Sequence, residues 1–204
     1  MDRATARTFL STHAEAPAAR LLAGLGVTPN ALTLSGLAVA GAAAYLVAQG
    51  YLAAGGAVVL LSGLFDLLDG ALARATGRVS RFGALLDSVV DRVSEAVVLL
   101  GLLVHYLDEP SRPGVALVYV ALAASIMVSY VRARAEGLGV ECKVGLLTRP
   151  ERVVALGGGL IVGWWWPGAI IVVLALIAAL SIITTVQRVL EVRRALSREG
   201  EAGQ

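Results

Sequence analysis

The chain has 204 residues, of which 57% are hydrophobic and only 16% are charged. A soluble domain has about a quarter of its residues charged, so this composition excludes an ordinary soluble fold. It predicts an all-α integral membrane protein, because long apolar segments span a bilayer as helices. The net charge of +2 gives no basis for a nucleic-acid partner. The single cysteine, Cys142, excludes an internal disulfide.

The N-terminal residues 1–25 mix leucines and Phe9 with charged residues, which predicts an amphipathic helix in the membrane interface, broken near Pro17. A disordered tail over residues 1–15 is the alternative. Thr28, Pro29 and Asn30 are predicted to supply a turn and an N-cap for the first spanning helix. Residues 26–196 are predicted to form one membrane domain, and residues 197–204 a polar, frayed tail.

Two long uncharged segments determine the number of helices. Residues 31–65 and 153–187 contain no Asp, Glu, Lys or Arg, and each is 35 residues long. One helix of that length would measure roughly 52 Å, whereas the hydrocarbon core is about 30 Å thick. Each segment must therefore turn once, near Gln49-Gly50 and within residues 164–168. Together with two segments between them, the prediction is six transmembrane helices, at about 30–49, 52–75, 83–107, 113–134, 150–166 and 168–192.

The basic residues predict the orientation of these helices. With six spans, both termini and the loops at 75–82 and 135–149 share one side of the membrane. Fifteen of the basic residues lie on that side: Arg3, Arg7, Arg20, Arg74, Arg78, Arg81, Arg132, Arg134, Lys143, Arg149, Arg152, Arg188, Arg193, Arg194 and Arg198. The opposite side has only Arg112. Positive residues favour the cytoplasm, so both termini are predicted to be cytoplasmic, in a multi-pass protein of the inner or plasma membrane.

Four aspartates in the second and third predicted spans are the most informative residues. Asp66 and Asp69 lie near the end of one span, and Asp87 and Asp91 lie near the start of the next. Spacings of three and four residues place each pair on one helix face. Carboxylates at membrane depth are costly and usually mark a functional site. Clustered oxygen ligands suit Mg²⁺, Mn²⁺ or Ca²⁺, and paired metals serve phosphoryl chemistry.

The aspartates belong to a longer string, Asp66-x-x-Asp69-Gly70-x-x-Ala73-Arg74, eight residues, then Gly83-x-x-x-Asp87-x-x-x-Asp91. This string resembles the signature of the CDP-alcohol phosphotransferases, and every fixed position is present. The resemblance implies that fold, two Mg²⁺ or Mn²⁺ ions bound by the four aspartates, and Asp91 as the general base. It also implies a homodimer and a CDP-lipid donor held by Asn30, Ala31, Leu32, Thr33, Asp69, Gly70, Ala73, Arg74 and Ser80.

Basic residues at three predicted helix ends indicate an anionic acceptor. Guanidinium groups match phosphate geometry, and they would repel choline or ethanolamine. The segments at 129–136 and 149–152 resemble those of the phosphatidylinositol phosphate synthases of the same family. That resemblance implies that Ser129, Arg132, Arg149, Arg152 and Arg188 bind the phosphate of an inositol phosphate acceptor. The alternative is a positive-inside signal alone.

Two neighbouring charges have different predicted roles. Arg134 is about 200° from Arg132 around the helix, which makes it a bystander. Glu95 lies one turn beyond Asp91 and is predicted to partner a neighbouring arginine, although it could also be a further metal ligand.

The predicted reaction transfers a phosphatidyl group from CDP-diacylglycerol to an inositol phosphate hydroxyl and releases CMP. Two alternatives stay within the class, namely glycerol phosphate as acceptor and a CDP-linked ether lipid as donor. An alternative from another class is a cation or proton transporter that uses the acidic face. A transporter would need a polar path through the opposite half of the bilayer, where the sequence is apolar.

Overall fold

The computed structural model describes the backbone of residues 16–202 and the side chains of residues 17–198. In this part of the chain all regular structure is helical. The helices are α1 (Ala16–Gly24), α2 (Pro29–Ala48), α3 (Leu52–Ala75), α4 (Arg81–Asp108), α5 (Arg112–Glu136), α6 (Arg149–Gly163) and α7 (Gly168–Ala202). Helix α1 covers residues 16–24 of the segment predicted as an interfacial helix, and its place in the membrane interface stays a prediction. Residues 1–15 of that segment lie outside the described residues.

Polar caps fix where the helices begin. The Thr28 hydroxyl accepts a hydrogen bond from the Ala31 amide, with Pro29 at the first helical position, as the sequence predicts. Ser80 accepts in the same way from the Gly83 amide at the start of α4. Between α2 and α3, Gly50 has φ +80°, a conformation that favours glycine. The predicted turn at Gln49-Gly50 is therefore confirmed.

The C-terminal boundary differs from the prediction. Helix α7 continues to Ala202 instead of ending near residue 192, so the predicted tail at 197–204 begins inside the helix. Residues 191–198 contain neither glycine nor proline, and most of them are good helix formers. Val192 and Ala195 also pack against the buried side chains of Val140 and Cys142, which gives the extension a tertiary partner.

Four of the helices are long and apolar enough to cross a membrane: α2, α3, α5 and α7 as far as Arg198. The protein is therefore a membrane protein. Two of the six predicted spans do not meet that description. Helix α6 has only 15 residues, and α4 carries Asp87, Asp91, Arg92 and Glu95 close together in its sequence. Both helices bring charged residues to the candidate site described below.

The arrangement of the helices explains how distant residues meet. Helix α2 packs along both α3 and α4, whereas α3 and α4 share only a small contact with each other. Helix α3 also packs against α1 and α6, and α7 packs against α5 and α6. The aspartates of α3 and α4 consequently lie on either side of the start of α2, and α6 closes the group from the other side.

Close backbone contacts hold these helices together, as is common in membranes. A Cβ on Gly56 of α3 would lie 2.6 Å from the Gly157 carbonyl oxygen of α6. A Cβ on Gly159 would lie 2.8 Å from Val173 of α7, whereas one on Gly158 would meet nothing within 4 Å. Tight packing at the Gly157–Gly159 segment is thus observed at its first and third residues.

We expect Gly101→Ala to destabilise the protein by about 1–3 kcal/mol, the usual cost of overpacking. The new Cβ would lie 2.3 Å from the Ala44 carbonyl oxygen, so α2 and α4 would have to separate. Gly41→Ala on α2 is the matched control, because its Cβ would meet nothing within 4 Å. Thermal unfolding in detergent should show a lower midpoint for Gly101→Ala only. Equal midpoints for the two variants would contradict this packing.

Candidate active site

The four aspartates line a site between α3 and α4. Asp69 is 5% exposed, and Asp66, Asp87 and Asp91 are partly buried. The charge of Asp87 acts on each of the other three. Like charges at such short range repel one another, and burial reduces the screening by water. The site therefore needs positive charge close to the carboxylates.

Arg149, the first residue of α6, supplies one positive group. Its Nη1 lies 2.6 Å from Asp66 Oδ2 and 2.7 Å from Asp91 Oδ1. These contacts join α3, α4 and α6 at a single point. The sequence predicts both Arg149 and the aspartates as site residues, but it does not predict that they form ion pairs with each other.

The donor set fits a hard divalent cation, although the four carboxylates are not gathered around one point. Between residues 16 and 202, no three acidic, histidine or cysteine side chains are close enough to ligate one ion. Arg149 lies between Asp66 and Asp91. Despite these ion pairs, Asp66 Oδ2 and Asp91 Oδ1 are buried without a well-directed hydrogen bond from any described residue. Buried carboxylate oxygens with unused lone pairs are the ligands that Mg²⁺ and Mn²⁺ prefer.

Asp69 has a different partner. The Thr33 hydroxyl on α2 lies 2.6 Å from Asp69 Oδ2 and donates to it, and the same hydroxyl is 3.0 Å from the Pro29 carbonyl oxygen. Thr33 is predicted from the family resemblance as a donor-binding residue. Its observed contact is with a predicted metal ligand, so it orients Asp69.

The other predicted donor-binding residues lie around the starts of α2 and α4. A Cβ on Gly83 would lie 3.0 Å from Ser80 Oγ and 3.4 Å from Asn30 Oδ1, so these two polar side chains meet over this glycine. A Cβ on Gly70 would lie 3.3 Å from Arg74 Nη1, which places the Arg74 guanidinium over the Gly70 backbone. Leu32 is buried, Ala73 is half-buried and Ala31 is exposed. The polar members of this set therefore form a rim beside the aspartates.

Arg152 is buried and forms a two-point ion pair with Glu95. Its Nε and Nη2 donate to the two carboxylate oxygens of Glu95, at 2.7 and 2.8 Å, and the arginine is 2% exposed. The predicted pairing of Glu95 with a neighbouring arginine is confirmed. This pair, together with Asp66 and Arg149, lines a cavity of about 30 Å³ whose other walls are mainly apolar side chains.

Arg188 on α7 anchors the loop that leads into α6. Its Nη1 donates to the Val128 carbonyl at 2.7 Å and its Nε to the Val144 carbonyl at 2.9 Å. One turn earlier, the Thr184 hydroxyl accepts from the Leu146 and Leu147 amides. Sequence reasoning misses Thr184, although its position four residues before Arg188 on the same helix face is a usable signal.

The predicted acceptor residues form a loose basic group. The charges of Arg132 and Arg152 both act on Arg188, so each of them lies near Arg188. Arg132 is exposed and pairs with Glu136 at 2.9 Å, and Ser129 is half-buried. Arg132 and Arg152 are each paired with a glutamate, whereas Arg188 donates to backbone carbonyls, so its positive charge contributes to a local field that attracts anions.

Comparison with known proteins identifies the family. Residues 26–187 match the CDP-alcohol phosphatidyltransferase family, and the chain belongs to it. The resemblance stated from the aspartate signature is therefore confirmed, and the protein is a phospholipid-biosynthetic transferase by class.

Relatives refine this placement. The chain is 42% identical over 195 residues to the phosphatidylinositol phosphate synthase of Mycobacterium tuberculosis, covering 89% of this chain and 88% of the relative. It is 40% identical over 162 residues to the archaetidylinositol phosphate synthase of Methanothermobacter thermautotrophicus, covering 79% and 80%.

Solved structures agree with the fold. The M. tuberculosis synthase with CDP-DAG bound superposes with a TM-score of 0.82 at 39% identity, covering 89% of this chain and 94% of that one. The same synthase in complex with manganese and citrate gives a TM-score of 0.80 at 39% identity, covering 87% and 88%. That synthase therefore binds manganese on a fold that closely matches this one.

Proposed function

We propose that this protein transfers a phosphatidyl group from CDP-diacylglycerol to a hydroxyl of an inositol phosphate, forming phosphatidylinositol phosphate and CMP. The observation that carries this proposal is the contact between Arg149 and Asp91. A group that binds anions lies 2.7 Å from the carboxylate proposed as the base. An acceptor that carries its own phosphate can therefore be held by the arginine while its hydroxyl faces the aspartate.

The proposed chemistry assigns one step to each group of residues. Asp91 removes the proton of the acceptor hydroxyl, and the resulting oxygen attacks the phosphorus that bears the diacylglycerol. A new P–O bond forms as the pyrophosphate P–O bond to CMP breaks. Asp66, Asp69, Asp87 and Asp91 would hold two Mg²⁺ or Mn²⁺ ions, which neutralise phosphate charge and stabilise the leaving CMP when bound. Thr33 keeps Asp69 oriented through its hydrogen bond.

The donor is proposed to lie along the rim formed by Asn30, Ser80 and Arg74. Their polar atoms lie beside the glycine backbones of Gly70 and Gly83, where a cytidine phosphate can approach closely. The remaining proposed donor-binding residues are Ala31, Leu32, Thr33, Asp69 and Ala73. The acceptor phosphate is proposed to contact Arg149 first, with Ser129, Arg132, Arg152 and Arg188 supplying the surrounding polar and positive groups.

The proposed topology has six membrane-crossing helices, α2 to α7, in the inner or plasma membrane. The charges of α4 and the shortness of α6 are compatible with this, because Asp91 and Glu95 of α4 contact Arg149 and Arg152 of α6 and so face protein instead of lipid. The excess of basic residues on one side supports cytoplasmic termini and a cytoplasmic active site. We further propose a homodimer.

One alternative donor has specific support. The archaeal relative at 40% identity is named for an archaetidyl product, so a CDP-linked ether lipid is a second candidate donor. Both donors present the same CDP group to the aspartates, and the difference lies in the lipid chains. The alternative of an ion transporter has no comparable support, because the family to which the chain belongs is a family of transferases.

An acceptor panel tests the proposal. The purified protein is supplied with CDP-diacylglycerol and Mg²⁺, and CMP release is measured with inositol phosphate, inositol or glycerol phosphate. We expect inositol phosphate to give at least tenfold faster release than either of the others, because only it combines the ring with an anion for Arg149. Faster release with glycerol phosphate would overturn inositol phosphate as the acceptor, but the protein would still be a CDP-alcohol phosphatidyltransferase. The same panel is then repeated with a CDP-linked ether lipid, and the lipid that gives the faster CMP release is the preferred donor.

A further inference from the structure

Arg149 differs from the neighbouring arginines in what holds it. Its Nη1 lies against Asp66 Oδ2 and Asp91 Oδ1, but neither contact has the alignment of a well-directed hydrogen bond. Its Nε is buried without a hydrogen-bond partner among the described residues. Geometry of this kind is poorer than the paired hydrogen bonds an arginine normally makes with a carboxylate. The guanidinium is therefore held near the aspartates without being locked there.

Arg152 and Arg188 are locked by comparison. Arg152 makes two directed hydrogen bonds to Glu95, and Arg188 makes two to backbone carbonyls. Both side chains are almost completely buried. Among the buried or mostly buried guanidinium groups Arg149, Arg152 and Arg188, Arg149 is therefore the one whose contacts best allow a change of partner during function.

The position of Arg149 coincides with the position that a cation needs. Its Nη1 lies within 2.7 Å of one carboxylate oxygen from α3 and one from α4. A divalent ion on the same two oxygens and the guanidinium would repel each other, so the binding of either one weakens the binding of the other. A divalent ion that binds Asp66 and Asp91 therefore competes with the guanidinium.

We propose that Arg149 is an exchangeable counter-ion that couples cation binding to acceptor binding. The inference rests on the proposed function for the identity of the acceptor. A divalent cation competes with Arg149 for Asp66 and Asp91, and the displaced guanidinium becomes available to the acceptor phosphate. Because coupling between two ligands is reciprocal, an acceptor anion bound to Arg149 must in turn strengthen cation binding.

The first test measures Mn²⁺ affinity in detergent without CDP-lipid, by electron paramagnetic resonance of the free ion. Arg149→Gln removes the competitor, so we expect Mn²⁺ to bind at least fivefold more tightly than in the parent. Arg92→Gln is the matched control. The charge of Arg92 acts on Asp87 and Asp91, as that of Arg149 does. The Arg92 guanidinium, however, donates to the Ser88 carbonyl, so its removal tests the effect of charge alone.

We expect the Arg92→Gln control to change Mn²⁺ affinity less than twofold. Equal tightening in the two variants would show a general effect of charge and would overturn the competition. Unchanged or weaker binding in Arg149→Gln would overturn it as well. If Arg149→Gln does not fold, Arg149→Met replaces it, because methionine keeps an apolar stem beside the cavity lined by Arg149 and the same outcomes apply.

The second test adds an inositol phosphate to the Mn²⁺ titration. In the parent we expect at least threefold tighter Mn²⁺ binding, and in Arg149→Gln no change. Tightening of the same size in both proteins would overturn the coupling through Arg149. If inositol phosphate has no effect on the parent while Arg149→Gln still binds Mn²⁺ more tightly, the proposed acceptor fails and the competition stands.

Discussion

Replacing Asp91 by asparagine is expected to reduce CMP release by about 10³-fold, within the range that a general base contributes. The amide cannot accept the proton of the acceptor hydroxyl, whereas Asp66, Asp69 and Asp87 remain to hold a cation. The affinity for the CDP-lipid should therefore stay within about threefold of the parent value. Steady-state CMP release and equilibrium binding of the donor are the two measurements.

The Asp91→Asn variant also removes one of the ion pairs of Arg149, so a control is needed. Arg134→Gln changes an exposed arginine on α5 that has no assigned role, and it should retain turnover within about twofold. If Asp91→Asn retained more than a third of the parent turnover, Asp91 would not be the base. A parallel loss of donor binding would instead make Asp91 essential as a ligand.

Removing Glu95 is expected to have the largest effect on stability. Glu95→Leu would leave the Arg152 guanidinium buried and unpaired, and breaking one side of a buried ion pair costs about 3–5 kcal/mol. Thermal unfolding in detergent should show a large fall in the midpoint. The double variant Glu95→Leu/Arg152→Met removes both charges from the same place, so it should recover most of the loss.

The exposed pair Arg132–Glu136 provides the comparison for this result. Both side chains are more than half exposed, so Glu136→Gln should cost less than about 1 kcal/mol. The double variant also separates stability from function. If it is stable but has a raised KM for the acceptor, Arg152 contributes to the acceptor pocket. A stable single variant Glu95→Leu would contradict the burial of the pair.

Much of the fold follows from sequence because its signals are local. Charge-free segments that are too long for one span force the turns at Gly50 and before Gly168, and serine, threonine and proline mark the helix starts. The end of α7 is mispredicted because its extension depends on contacts with Val140 and Cys142, which are distant in sequence. That α4 and α6 cross the membrane stays a prediction, because α4 carries several charged residues and α6 is short, so neither has the length and composition typical of a span.

The candidate site is predictable in its members but not in its pairings. Two aspartate pairs at helical spacing on consecutive helices predict the metal ligands, and Glu95 one turn beyond Asp91 suggests an arginine partner. The contact of Thr33 with Asp69 joins residues that are 36 positions apart in the sequence. The contact of Arg149 with Asp66 joins residues that are 83 positions apart (149 − 66). Spacing along one helix carries no information about such pairings, because they depend on how α2 and α6 pack against α3.

Crystals of the protein soaked in Mn²⁺ provide the most direct measurement, through anomalous scattering at the manganese edge. The account predicts two peaks between α3 and α4, within about 2.5 Å of oxygens of Asp66, Asp69, Asp87 and Asp91, with the Arg149 guanidinium moved away from Asp66. No peak at these carboxylates, in crystals of enzyme that turns over with the same ion, would contradict it.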